Sequence, residues 1–519
     1  MSMMMDILKR LEAGGKNAIP AVIADLVVDN QFRRDRMISN YKRYKASSDP
    51  DGVPVFSRKF ENPDKVNRKI NNAFDADVID TKTGYMIGNP IIYELDKSAY
   101  VTATTDPETS AETEELNEAE YDADMDVISD FNLENNIEDL DGETLKMAAI
   151  CAYGARLLYI DTDGQTKVTG IEPWECLFID EGALGEPVYA MRYYDITDDG
   201  KKKILVEWYD AEFVSYYISE EITLPSGETK IQYKAYKKNG VESQPHMFTG
   251  IPLIQFPNNK ELQGDCDKVY ALIDGYDFAL SDVNSEVEQF RLAYLAFYGS
   301  APSAEVLSEA RKTGAFGMPD KDDKIEFITK DLNDTIIENH LDRLEDNIYR
   351  FAKSVNFHDE AFSGNVSGIA MKFKMFGLES KCIMTERKFT AALRRQFKLL
   401  TTVWATKGIE MDYRDINFVW TRNFPLNLLD EAQTTVALKG TISDKTRLGL
   451  LSFVDDPEKE LAQMEQESEG MVDLNAPMEE EGAFGDQEGE EGLPGSQPFG
   501  AKPGGVANQG RREKAVGAG

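Results

Sequence analysis

Residues 268–290, KVYALIDGYDFALSDVNSEVEQF, and 334–355, DTIIENHLDRLEDNIYRFAKSV, decide the fold. In the first, Val269, Ile273, Tyr276, Leu280, Val283, Val287 and Phe290 advance by alternating steps of four and three. In the second, Ile337, Leu341, Leu344, Ile348, Phe351 and Val355 do nearly the same. A repeat of ~3.5 residues holds one narrow apolar seam along one side of a helix, and a seam needs a partner to bury it. At ~1.5 Å per residue each arm would reach roughly 30 to 40 Å. The spacing predicts a long helical hairpin, with arms over 266–291 and 331–356.

Between the arms, residues 292–330 carry β-prone runs set among glycines, with Tyr294, Phe297, Phe316, Ile325 and Phe327 as large apolar side chains. A module this small cannot bury a core alone, which predicts association at the tip. After the second arm, 357–368 is a loop bearing Phe357, His358, Asp359, Glu360, Phe362, Ser363, Gly364, Asn365 and Ser367. A further helix is predicted over 369–408. Phe373, Phe376, Phe389, Leu393, Phe397 and Leu400 are spaced for packing, Gly377 is a point for a kink, and Lys372, Lys374 and Lys381 add positive charge.

Outward from there, residues 1–45 read as helical and end in a basic, tyrosine-rich stretch including Arg33, Arg34, Arg36, Lys42 and Arg43. That end suits a solvated face or a partner for the acidic body better than DNA. Val66, Ile70 and Phe74 predict a helix leading to a strand at Ile91–Leu95. From 105 to 126 the chain is densely acidic, without the His or Gly punctuation of a metal site, and reads as a solvated face. Residues 145–260 are β-rich: a helix near Leu145–Tyr153 gives way to strands, beginning with Arg156–Ile160, an Asp161-Thr162-Asp163-Gly164 turn and Lys167–Ile171. Residues 409–429 include a strand at Ile416–Trp420. Two short helices close the folded part, one capped by Ser443 and one opening at Asp456-Pro457. The Gly-, Glu- and Pro-rich 469–519 is expected to be disordered. The fold class is therefore α+β.

A net charge of −36 argues against a protein that coats nucleic acid, which requires Lys and Arg on phosphates. It is compatible with a surface that DNA passes without sticking. Four scattered cysteines form neither a disulfide framework nor a zinc site. There is no phosphate-binding G-x-x-x-x-G-K-[ST] loop, no H-E-x-x-H and no G-x-S-x-G elbow, and His246, His340 and His358 are far apart. Neither enzyme activity, a metal nor a cofactor is expected. The start shows no basic segment leading into an apolar one, and no apolar run reaches membrane-spanning length.

Several strings resemble the SPP1-like portal proteins of long-tailed bacteriophages. They are residues 66–74 with 84–93, 152–161 with 171–175, 251–259 with 272–277 and 280–282, Ser367-Gly368-Ile369-Ala370-Met371-Lys372-Phe373, and Thr441-Ile442-Ser443-Asp444-Lys445-Thr446. In order, they span about residues 20 to 465; the acidic stretch and the tail are not anchored by them. The resemblance implies a dodecameric ring at one capsid vertex, with a mixed α/β wing (1–265 and the strand in 409–429). The arms become the stem, 292–330 the clip, 357–368 the tunnel loop, 369–408 the tunnel helix and 430–468 the crown, with the loop residues and Lys372, Lys374 and Lys381 of the helix then lining the DNA channel. It also implies the partners: double-stranded DNA read without sequence specificity, the terminase large subunit, a head–tail adaptor, and the major capsid and scaffolding proteins. The implied location is the virion's portal vertex, with assembly in the host cytoplasm. The alternatives are an acidic metal-dependent nuclease using the 112–126 carboxylates, and a cytosolic scaffold adaptor.

Overall fold

The computed structural model describes residues 2–49, 51–60, 65–105, 112–180, 186–223, 229–290, 294–299, 302–314, 324–328, 334–357, 368–424, 428–451, 454, 457 and 459–464. Two compact units are present, Met1–Asn427 and Leu428–Gly519.

The first unit begins with two helices, α1 (Ser2–Gly14) and α2 (Ile19–Tyr44). Pro20 in the first turn of α2 suits a position where its missing N–H is not needed. Val22, Ile23 and Leu26 recur at helical spacing and are buried with Val206, Trp208 and Tyr217. Those three belong to an antiparallel sheet whose path runs β10–β9–β8–β7–β6, with β11 joining β9. Its strands are β6 (Cys176–Ile179), β7 (Tyr189–Asp198), β8 (Lys201–Tyr209), β9 (Phe213–Thr223), β10 (Thr229–Ala235) and β11 (Ser243–Pro245). Strand periodicity sends neighbouring residues to opposite faces: Tyr217 packs with α2, whereas Tyr216 joins a second core with Tyr209, Leu253 and Ile273.

A second sheet, ordered β12–β4–β5, contains β4 (Tyr153–Ile160), β5 (Thr166–Ile171) and β12 (Leu253–Pro257). Next to it lie α4 (Glu118–Glu134), α5 (Ile137–Cys151) and the long α9 (Gly368–Thr406). Phe389, Leu393, Phe397, Leu400 and Trp404 of α9 form the largest apolar core with Phe131, Leu158 and Phe256. Full burial of each such side chain contributes about 1.5–3 kcal/mol. The expected 369–408 helix is present, and its helical assignment runs through Gly377. Two short pairings complete this region: β1 (Ile92–Leu95) with β15 (Ile416–Val419), and β2 (Val101–Thr105) with β3 (Glu112–Leu116).

The helix expected from Val66, Ile70 and Phe74 starts later, as α3 (Phe74–Ile87); residues 65–73 form no helix. In the acidic stretch, Glu118, Glu120, Asp122 and Asp126 are exposed, as a solvated face requires. The stretch divides between β2, β3 and α4, and Asp124 is buried, accepting a 2.7 Å hydrogen bond from Tyr100.

In the second unit, α10 (Leu428–Ala437) precedes α11 (Asp444–Leu448). Ser443 caps α11, its Oγ accepting from Thr446 N at 3.3 Å. Residues 459–464 are helical, whereas Asp456 and the 469–519 tail lie outside the described residues.

Candidate functional site

The hairpin arms are α6 (Tyr270–Phe290) and α8 (Asp334–Ala352), and they pack on each other. Between them, β13 (Tyr294–Tyr298) pairs antiparallel with β14 (Lys324–Ile328), setting Phe297 opposite Ile325 and Leu295 opposite Phe327. The insert is not all strand: α7 (Ala304–Thr313) lies within it. Ser303 caps α7 and Gly314, at φ 70°, ends it, a sequence signal of a helix that β-propensity alone overlooks. Phe316 lies outside the described residues.

The two seams are buried unevenly. Val269, Ile273, Leu341, Ile348 and Val355 are buried, whereas Tyr276, Leu280, Val283, Ile337 and Leu344 are half-buried. Val287 is 50% exposed and Phe351 54% exposed, so neither packs in the seam as expected. Helical drift explains Phe351. A straight helix turns once per ~3.6 residues, so the buried line passes from Ile348 to Ala352 rather than to Phe351.

On α6 a different line is buried, and it is polar: Asp277, Ser281 and Ser285. They are four residues apart and grip the extended chain at 65–73. Ser285 Oγ accepts from Arg68 N at 2.9 Å, Ser281 Oγ from Ile70 N at 2.9 Å, and Asp277 Oδ1 from Asn72 N at 3.1 Å. Four helical residues rise ~6 Å and two extended residues ~6.6 Å, so the two ladders stay in step. This capture of alternate N–H groups is why the strap is extended rather than helical. Its signal was the i, i+4 spacing of short polar side chains on an otherwise apolar arm. The strap then delivers Phe74 between the arms, with ring centroids 5.0 Å from Tyr276 and 5.9 Å from Tyr349.

At the root of the hairpin lies a buried charge cluster. Asp265 precedes α6, and its carboxylate is 3.1 Å from Lys82 Nζ of α3 and 3.1 Å from Lys381 Nζ of α9. Asn258 and Lys82 share a 2.6 Å hydrogen bond. Lys381 also donates to Ala352 O at 2.9 Å, in the last turn of α8, where a cation meets the negative end of the helix. One ammonium thus ties the roots of both arms to α9. Burial alone would raise the Asp265 carboxyl, but Lys82 and Lys381 hold it at about 2. Burial pushes the Lys82 ammonium down, against the pull of Asp265.

This geometry revises the three lysines on α9. Lys381 faces inward and is held by Asp265 and Ala352; it offers no bare charge to a channel. Lys374 is exposed on the first turns of α9, and for Lys372 the helix position alone is described. Of the 357–368 loop, Phe357 is described: it is half exposed and lines a cleft of about 350 Å³ with Tyr85, Met375 and Phe424. His358, Asp359, Glu360, Phe362, Ser363, Gly364, Asn365 and Ser367 lie outside the described residues.

The basic end of α2 is largely spent inside the chain. Arg36 pairs with Asp267 at 2.9 Å, Arg43 reaches Asp274 at 2.8 Å and Asp75 at 3.4 Å, and Lys42 reaches Asp51 at 3.3 Å. Among the described residues no three His, Cys, Asp or Glu side chains are grouped as metal ligands. No described helix is long and apolar enough to cross a membrane.

Comparison with known proteins places the chain. The family described as "Phage portal protein, SPP1 Gp6-like" matches residues 25–472. The portal protein of Bacillus phage SPP1 is 25% identical over 442 residues, covering 82% of this chain and 80% of that protein. The portal protein of Clostridium phage phiCD119 is 25% identical over 466 residues, covering 84% and 93%. The arms, the strap, the buried root and α9 all fall inside the matched span, and the chain belongs to the SPP1 Gp6-like family of phage portal proteins.

Proposed function

We propose that this chain is the subunit of a twelve-membered ring at one capsid vertex, the conduit through which double-stranded DNA is packaged, retained and ejected. The observation that carries this reading is family membership across residues 25–472. The hairpin supports it, because two arms that leave Val287 and Ile336 exposed are suited to further packing between subunits. Identical subunits joined head to tail close a ring and leave an axial hole.

In this reading α6 and α8 are the stem, 292–330 the clip that meets the terminase large subunit and later the head–tail adaptor, and 430–468 the crown. Residues 357–368 come nearest to the DNA, with Lys374 behind them on α9. The sheets and α1 to α5 form the wing, which faces the major capsid and scaffolding proteins. The chain is a structural part of the virion, not an enzyme, and force comes from the ATP-driven terminase. An acidic wall repels phosphates and lets the duplex slide.

Native mass measurement across protein and salt concentrations tests the ring: a closed oligomer is expected, and a monomer under every condition would overturn the proposal. Deleting 357–367 should leave the ring intact and impair packaging or retention of DNA. Divalent-ion-dependent cleavage of DNA by the purified protein would instead favour a nuclease.

A further inference from the structure

Two faces of the first unit carry unspent charge of opposite sign. One is a cleft of about 350 Å³ between α2 and the turn after β12. Arg33, Arg36 and Lys260 line it, with Glu261 and Asp267 as the opposing carboxylates. Asp267 is engaged by Arg36 and Asn40. Arg33 and Lys260 are exposed and have no ion-pair partner among the described residues. Phe32, at the cleft's edge, is 81% exposed. On a chain of net charge −36, a cleft lined by three cations and a bare aromatic is an exception.

The other face is on α4. Glu118, Asp122, Asp126 and Asp130 are four residues apart, so they form one ridge, and all four are exposed without an ion-pair partner among the described residues. Like charges at this spacing repel and destabilise their own helix, a cost that a cationic surface would relieve. Leu133, one turn on, is 82% exposed. Each face therefore combines charge with one bare apolar side chain.

Their placement suits a head-to-tail contact. α5 packs on both α2 and α4, giving Ile137 and Leu145 to the core that holds α4, and Ala149 and Ile150 to the core that holds Met37 of α2. The cleft and the ridge are thus carried by different helices, both packed on α5. Resting on the ring reading above, we infer that the α4 ridge of one subunit docks in the α2 cleft of the next. Asp122 and Asp126 would meet Arg33 and Lys260, and Leu133 would meet Phe32. A contact between two different faces of identical chains is heterologous, the kind that closes rings. Exposed charges at this distance are screened over ~8 Å at physiological salt, so the contact should weaken as salt rises.

The test is charge exchange on the full chain. Arg33→Glu with Lys260→Glu forms one variant, and Asp122→Lys with Asp126→Lys the other. Thermal unfolding of each at low protein concentration establishes that the subunit still folds. Each variant alone should raise the protein concentration needed for half-assembly by roughly tenfold or more. An equimolar mixture should recover assembly, because each altered face then meets its new complement, and native mass measurement should show the two variants in equal number. Unchanged assembly by either variant, or no recovery on mixing, overturns the docking assignment while leaving a wild-type ring standing. A wild-type chain that never assembles removes the ring reading itself.

Discussion

The root of the hairpin and its outer half are made of similar residues in opposite states. At the root, Val269, Ile273, Ile348 and Ala352 are buried, and Asp265 holds two ammoniums out of water. Farther out, Val287 and Ile336 are half or more exposed on equally regular helices. Helix quality does not separate them; neighbours do. The root packs in a core with Ile79, Cys151 and Leu253, whereas the outer half has the facing arm and the strap. A seam predicts that burial is needed, not that the same chain supplies it. The root thus holds the single chain together, and in the proposed ring the outer half is what remains for neighbouring subunits.

The sharpest way to break this division is at Asp265. Replacing it with alanine leaves Lys82 and Lys381 facing each other without a counter-charge. Removing one partner of a buried pair costs about 3–5 kcal/mol. A large fall in Tm is expected, partly recovered by adding Lys82→Met. A Tm within error of the wild type would mean that the cluster does not anchor the root. Next in size, Ile273→Ala or Ile348→Ala empties a fully buried site and should cost about 2–5 kcal/mol in urea denaturation.

How far the sequence reaches follows the same line. Periodicity revealed both arms, α9 and the strands, because each signal is local and repeats over several turns. It misread 65–73, where Val66, Ile70 and Phe74 imitate a helix face. The N–H groups of Arg68, Ile70 and Asn72 are satisfied by side chains more than 200 positions away, and no local pattern encodes that. Charge misled in a similar way. Lys381 read as a cation for a channel, yet a turn before α6 supplies Asp265 to hold it. The α7 caps, Ser303 and Gly314, are local signals of a helix that a reading by β-propensity does not use.

Asp75 offers a smaller effect on the same side of the comparison. It is buried near the root, 3.4 Å from Arg43 Nε. Burial pushes its carboxyl up, Arg43 pulls it down, Asp274 and Asp277 push it up again, and it settles at about 6. The folded chain therefore keeps a proton between roughly pH 4 and 6 that the unfolded chain has released. Stability from this group is complete below that window and is lost as the pH rises through 6. Asp75→Asn should flatten that slope and stabilise the chain at pH 8 by on the order of 1–3 kcal/mol. An unchanged slope in denaturation measured from pH 4 to 8 would assign the pH dependence elsewhere.

The smallest expected change lies in the outer half, and the comparison rests on its being small. Val287 has half of its surface in water, so Val287→Ala should move the stability of an unassembled subunit by no more than ~0.5 kcal/mol. Ile273, about four turns nearer the root on the same arm as Val287, should respond several times more strongly. If ring neighbours cover the outer half, Val287→Ala should weaken assembly in native mass measurements while leaving urea denaturation of the dilute subunit unchanged. Ile273→Ala should show the reverse emphasis, losing subunit stability first. A Val287→Ala subunit as destabilised as Ile273→Ala would mean that both halves of the arm are packed within one chain. The exposed seam would then no longer support intersubunit packing.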